Sequence, residues 1–164
     1  MTDEQFWSLI EQARGGLPES ADSHRLTLLL RPLGNDDITA FGLMFYEKIC
    51  DLNKWSVWGA GYVIAGGMSD DSFHYFRSWI IGKGKQVFDL ALADPDALGP
   101  DIDDRDVDNE ALEYACLDLL EERGVTDDPR DNCSRNADDA PAGTAFDEDT
   151  VQKAAFPKLS ALFG

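Results

Sequence analysis

A Gly-Gly step between two apolar helical patterns dominates residues 55–81, WSVWGAGYVIAGGMSDDSFHYFRSWII. Before the step, Trp55, Trp58 and Tyr62 follow the i, i+3, i+7 spacing of one helix face, and the apolar residues after it repeat at the same period. Glycine is typical of a helix end, and the Ser-Asp-Asp run that follows is typical of a helix start. The stretch therefore predicts a tight helical hairpin with its polar groups in or near the turn.

Helical spacing recurs in the other apolar segments, and no alternating run predicts a strand. The chain has 164 residues and 43% hydrophobic content, which is enough for one domain with a substantial core. We therefore predict an all-α fold, with residues 1–164 forming a single compact multi-helix domain. Helices are expected from Thr2 to the Gly15-Gly16 step, over 23–33, from Asn35 to Leu52, over 54–65, after Ser69, over 86–93, over 107–123, and in the C-terminal segment.

Two glycines, Gly59 and Gly61, lie inside the helix predicted over 54–65. Glycine in a helix interior costs roughly 1 kcal/mol relative to alanine, so something must approach the backbone closely there. We favour close helix packing over a ligand.

The net charge of −18 is concentrated in one region. Residues 94–149 contain 4 basic and 20 acidic residues, so this segment alone carries −16. Within it, 94–108 is predicted to be an irregular acidic loop and 126–144 a long, mobile surface loop. Such a field repels phosphate backbones and attracts basic surfaces, which makes direct nucleic-acid binding unfavourable.

The chain start and the cysteines limit the location and the chemistry. The first ten residues, MTDEQFWSLI, do not resemble a secretory signal, and no segment approaches the roughly 18 apolar residues of a membrane span. We expect a soluble cytoplasmic protein.

Cys50, Cys116 and Cys133 lack metal-binding or disulfide-framework spacing. No metal and no cofactor is predicted, Cys50 and Cys116 are expected in the core, and Cys133 is expected to be a free thiol.

Several motifs together resemble a known family: Phe6-Trp7-x-Leu-Ile, W-x-x-W-G-A-G-Y-V-I-x-G-G-x-S-D-D-S-F-x-Y-F-R-x-W-I-I, A-L-x-D-P-D-x-L at 91–98, and F-P-x-L near the end. The chain is identified as a member of the bacterial domain-of-unknown-function family numbered 4240, over essentially its whole length. The resemblance implies a small, mostly helical protein and carries no activity. His74 and the loop 126–144 are expected to be peculiar to this member.

The hairpin supplies the candidate ligand-binding residues, and no catalytic residue is assigned. Asp70, His74 and Arg77 share a helix face, and Arg77 either grips an anionic ligand or forms an internal salt bridge to Asp70, Asp71 or Glu47. The aromatic stripe either packs in the core or lines a pocket. The full set of candidates is Trp55, Trp58, Tyr62, Ser69, Asp70, Asp71, His74, Arg77 and Trp79.

Three functions remain open from the sequence. The first is an interaction module of accessory, regulatory or immunity type that engages a protein or peptide through this pocket or the acidic surface. The second is an enzyme or small-molecule binder that uses Trp58, Tyr62, Asp70, Asp71 and Arg77. The third is an acidic mimic of nucleic acid.

Overall fold

The computed structural model describes residues 1–148 and 154–164, and it is an all-α single domain within those ranges. The α-helices are α1 (Asp3–Arg14), α2 (Ser23–Leu30), α3 (Asn35–Asp51), α4 (Trp55–Ala65), α5 (Asp70–Gly82), α6 (Lys85–Ala93), α7 (Glu110–Glu122) and α8 (Pro157–Phe163). Two 3₁₀ helices cover Pro95–Asp101 and Pro129–Asn132. The described residues contain one isolated β-bridge, Lys54 with Ala142, and no strand.

Helix α5 is the central element of the fold. It packs against α1, α3, α4, α6 and α7. Its first turn is exposed, whereas Phe76 through Gly82 are buried without interruption. The helix therefore enters the core from its solvent-exposed N-terminus and ends inside it, so side chains two turns apart have different surroundings.

The predicted hairpin is confirmed as α4 and α5. Gly66 ends α4 in the left-handed conformation, at φ 75°, and Ser69 caps α5 by accepting a hydrogen bond from the Ser72 amide. Thr2 and Gln5 form a capping box on α1. Local signals in the sequence therefore fix these boundaries correctly.

Other predicted boundaries are wrong by a few residues. α2 stops at Leu30, ahead of Pro32, and α3 is capped by Gly34, whereas Asn35 is its first residue. α7 begins at Glu110 because the preceding residues have other bonds: the Asn109 side chain donates to Ser20 Oγ and the Ala21 carbonyl, both at 2.9 Å. The predicted irregular loop 94–108 contains the 3₁₀ helix Pro95–Asp101.

The C-terminal segment docks on the helical core. The nine-tenths-buried carboxylate of Asp96 accepts hydrogen bonds from the backbone amides of Lys158 at 3.1 Å and Leu159 at 2.9 Å. Phe156 is 5% exposed and lies against Gly59 of α4. A Cβ added at Gly59 would come within 2.7 Å of the Phe156 ring, which gives the reason for a glycine inside α4.

Candidate functional site

An aromatic column runs from the start of α4 to α5. Trp55 stacks on Trp58 with ring centroids 5.2 Å apart, and Trp58 stacks on Phe73 at 4.8 Å, both nearly parallel. Phe146 closes the side of the column, edge-on to both tryptophans. The i, i+3 spacing on one helix brings the two indoles together, as the sequence predicted. The rings of the column pack against one another, which supports core packing. Its two tryptophans are only half-buried, which supports a role in lining a pocket.

Two polar groups beside the column, the Trp58 indole N–H and the Tyr62 hydroxyl, have structural partners. The Trp58 indole N–H donates to the Met68 carbonyl at 3.0 Å and so ties α4 to the hairpin turn. Tyr62 packs against Phe146 at 5.5 Å, and its hydroxyl lies 3.5 Å from a Glu148 carboxylate oxygen. These contacts favour a packing role for the stripe.

Arg77 continues the column into the core. Its guanidinium carbon lies 4.4 Å from the centre of the Phe73 ring, on the buried side of the stack. Nη1 donates to the carbonyls of Ile49 and Ala137, and Nη2 donates to Ala137 as well, all at 3.2 Å. One guanidinium thus joins the last turns of α3 to the segment that contains Ala137.

The carboxylates considered as partners of Arg77 are not bonded to it in the part of the chain that the structure describes. Asp70 and Asp71 are exposed at the α5 N-terminus, whereas Arg77 is 2% exposed two turns further along. Burial lowers the pKa of Arg77 to about 10, still far enough above neutral to keep the side chain charged. The contacts therefore favour a structural role for Arg77 over ligand binding. Its partners are backbone carbonyls and not the expected carboxylates.

His74 turns away from Asp70 toward α7. Its Nε2 lies 2.6 Å from Oε2 of Glu113, a carboxylate that is 5% exposed. The other oxygen, Oε1, lies 3.7 Å from Nη1 of Arg130, and Arg130 makes a bidentate ion pair with Asp128. This pairing raises the pKa of Arg130 and lowers that of Asp128. The result is a chain of polar contacts that ties α5, α7 and the Pro129–Asn132 helix together.

The remaining candidate residues are spread along α5. Ser69 is a helix cap, and Asp70 and Asp71 place negative charge near the helix N-terminus. Trp79 lies three turns away, 5% exposed, with the Lys83 ammonium 5.2 Å from its ring. The candidates thus divide among the aromatic column, the His74 contact and a distant surface, and they do not converge on one point. Their role as ligand-binding residues stays a prediction.

A groove of about 850 Å³ opens where Trp79 reaches the surface. Its walls are the connection between α1 and α2 and the segment before α7, and its lining includes exposed Leu17, two arginines and six acidic residues. Two positive and six negative side chains give a net charge of −4. We call this surface the acidic groove and define it by its acids: Glu19, Asp22, Asp103, Asp104, Asp106 and Asp108.

The basic residues of the acidic groove are already engaged. The Arg25 guanidinium donates to the Arg14 carbonyl, while Arg14 donates to Glu19 O and pairs with Glu11 at 3.2 Å. Asp104 and Asp108 accept hydrogen bonds from nearby backbone amides, which fixes the loop and leaves their charge exposed. The groove therefore presents an excess of carboxylates to solvent.

Crowded carboxylates predict a salt-dependent stability. Raising ionic strength from about 0.01 M to about 1 M shortens the screening length from about 30 Å to about 3 Å, so repulsion among the acids falls. We expect the melting temperature to rise by several degrees with added salt, measured by circular dichroism. Asp104→Asn, Asp106→Asn and Asp108→Asn combined should reduce that rise. A melting temperature indifferent to salt would mean that repulsion does not limit stability.

Three features of these surfaces escaped the sequence reasoning. Glu113 pairs with His74, 39 positions away in the sequence, and no local pattern marks that contact. Arg130 and Ala137 lie in the segment predicted to be mobile, yet one is ion-paired and the other is buried. The mobility of 126–144 stays a prediction. For the contact between Arg77 and Ala137, the sequence contains one weak signal, an arginine surrounded by aromatic residues. That pattern is as typical of a buried structural contact as of a ligand site.

Comparison with known proteins places the chain in a family. Residues 1–122 match the family model described as "Protein of unknown function (DUF4240)", and the chain belongs to that family. The match stops short of the F-P-x-L segment, which the sequence resemblance had included. No curated protein and no solved structure matches the chain.

Two further findings concern possible ligands and membranes. Among residues 1–148 and 154–164, no three His, Cys, Asp or Glu side chains gather at metal-binding spacing. In the same part of the chain, none of the helices combines the length and hydropathy needed to span a bilayer.

Proposed function

We propose that this protein is a cytoplasmic interaction module that binds a basic segment of a partner protein in the acidic groove. The observation that carries the proposal is the composition of the groove: six carboxylates line it, and the nearby guanidinium groups are already bonded. Leu17, which is 49% exposed, and Trp79 also line the groove. An accessory, regulatory or immunity-type role is consistent with such binding.

Charge complementarity defines the partner. A groove of net charge −4 attracts lysine and arginine and raises the association rate with a basic segment. Leu17 and Trp79 offer contact to one apolar side chain within that segment, the arrangement of an apolar centre with a charged rim. The same charges repel nucleic acid.

Arg77 lowers the support for the enzyme hypothesis. That hypothesis places Arg77 with Asp70 and Asp71 around a substrate, but the guanidinium is 2% exposed and bonded to backbone carbonyls. Three of the five guanidinium N–H groups donate to carbonyls and the other two are buried with the side chain, so no N–H fork is exposed to an anionic substrate. The groove therefore supports a binding function better than the hairpin supports catalysis.

The test is a titration of the protein with decalysine, with binding measured by calorimetry. Replacing Asp104, Asp106 and Asp108 by asparagine retains the side-chain oxygens that accept backbone hydrogen bonds while removing three charges. We expect the Kd to rise about tenfold, with a weaker salt dependence, because the loss is electrostatic.

The matched control removes three charges elsewhere. Glu4→Gln, Asp36→Asn and Asp37→Asn combined change the net charge equally on exposed first turns of α1 and α3. This variant should bind decalysine within about threefold of the original protein. Equal losses in both triple variants would show that decalysine responds to net charge alone, and the groove would then have no specific role.

A further inference from the structure

Two cysteines far apart in sequence meet at the end of α3. Cys50 is in the last turn of α3, and Cys133 directly follows the Pro129–Asn132 helix. Burial raises the pKa of the Cys50 thiol, and the neighbouring Cys133 thiol raises that pKa further, so the two side chains are close enough to interact. The separation of 83 positions (133 − 50) means that only the tertiary fold brings the two sulfur atoms together.

Two guanidinium groups hold the backbone on either side of this pair. Arg77 joins the carbonyl of Ile49, next to Cys50, to the carbonyl of Ala137. Arg135, two residues after Cys133, pairs with Asp51 at 2.8 Å and donates to the Glu47 carbonyl at 3.1 Å. The two thiols are therefore positioned by bonds on both sides and not by a chance approach of a loose loop.

The thiols differ in access. Cys50 is 8% exposed, and burial raises its pKa to about 12, so it resists direct oxidation. Cys133 is half-buried at the surface of the same site. Cys116 belongs elsewhere: it is 1% exposed, and its sulfur lies 3.6 Å from the Glu113 carbonyl.

We propose that Cys50 and Cys133 form a reversible disulfide in response to hydroperoxides. Hydrogen peroxide oxidises the Cys133 thiol to a sulfenic acid and releases one water. The Cys50 sulfur then attacks that sulfenic sulfur, the S–S bond forms and a second water leaves, so the two thiols supply the two electrons that reduce the peroxide. A dithiol restores both cysteines and becomes a disulfide itself.

The cross-link would secure the segment that follows the family-model match. From Cys133 the chain runs through Ala137, held by Arg77, to Ala142, whose carbonyl accepts from the Trp55 amide at 2.9 Å. Oxidation would therefore lock this segment over the start of α4, beside the aromatic column.

The experiment is peroxide treatment of the full chain, followed by intact mass measurement and non-reducing peptide mapping. We expect a monomer that has lost two hydrogen atoms, a fall in titratable thiols from three to one, and one cross-linked peptide containing Cys50 and Cys133. Dithiothreitol should reverse all three changes. Because the closed loop is long, the oxidised protein should melt roughly 5–10 °C higher than the reduced one.

Two variants make the assignment specific. Cys133→Ser, at the more accessible position, should fold normally and show neither the cross-link nor the rise in melting temperature. Cys116→Ser should retain both. The same loss of two hydrogens in Cys133→Ser, or a wild-type protein that accumulates sulfinic acid at Cys133 without a cross-link, would overturn the proposal. A linked protein that melts no higher than the reduced one would overturn the locking role.

Discussion

Replacing Arg77 by alanine should lower the free energy of unfolding by about 3 kcal/mol. The change leaves the buried carbonyls of Ile49 and Ala137 without their donors, at about 1–3 kcal/mol each, and opens a cavity beside Phe73. Relief from burying a cation offsets part of this cost, since the lowered pKa of Arg77 corresponds to about 3 kcal/mol. Denaturant titration followed by circular dichroism measures the net loss.

The conservative variant Arg77→Lys separates geometry from charge. An ammonium group keeps the positive charge but lacks the planar fork that reaches both carbonyls and lies over the Phe73 ring. We expect a loss of about 1–3 kcal/mol, smaller than for alanine. Arg31→Lys is the control, because Arg31 is half exposed in its pair with Glu122 and should change stability by less than about 1 kcal/mol.

An alternative outcome at Arg77 would change the view of the site. If Arg77→Ala unfolds at nearly the same denaturant concentration as the original protein, the carbonyl contacts contribute little. The ligand-clamp interpretation of Arg77 would then regain its support. Equal losses for Arg77→Lys and Arg31→Lys would likewise show that the planar fork in the core has no special role.

Local signals explain how much of the fold the sequence predicts. Helix spacing, the Thr2 capping box and the Gly66 turn depend on residues within a few positions of one another, and these features are confirmed. The predicted start of α7 was wrong because Asn109, directly before the helix, bonds to the distant residues Ser20 and Ala21. The spacing of residues in the sequence does not predict such long-range hydrogen bonds.

The candidate site shows the same limit more strongly. The stacking of Trp55 on Trp58 follows from the i, i+3 spacing and could be predicted. The partners of Arg77 could not, because they are backbone carbonyls, and any residue type provides a carbonyl. The acidic groove likewise combines two segments about 85 residues apart, from the α1–α2 connection and the start of α7.

Phe156→Ala should release the C-terminal segment from the rest of the fold. Phe156 is 5% exposed and fills the space above Gly59, and truncating a buried phenylalanine costs about 3–5 kcal/mol. Hydrogen exchange should show faster exchange of the amides of Lys158 and Leu159, which Asp96 otherwise holds. Leu162→Ala is the control in the helix that follows Phe156, since Leu162 is 63% exposed and its loss should cost less than about 1 kcal/mol.

A double-mutant cycle with Gly59→Ala tests the contact itself. In the original protein the added Cβ meets the Phe156 ring at 2.7 Å, so Gly59→Ala should destabilise the fold by about 1–3 kcal/mol despite alanine's better helix propensity. With Phe156→Ala present, the ring is gone and the same substitution should cost at least about 1 kcal/mol less. Additive effects of the two substitutions would show that a glycine at position 59 is not needed to accommodate the Phe156 ring. A strong coupling would show that α4, within the family-model match, is shaped to receive a segment that lies beyond it.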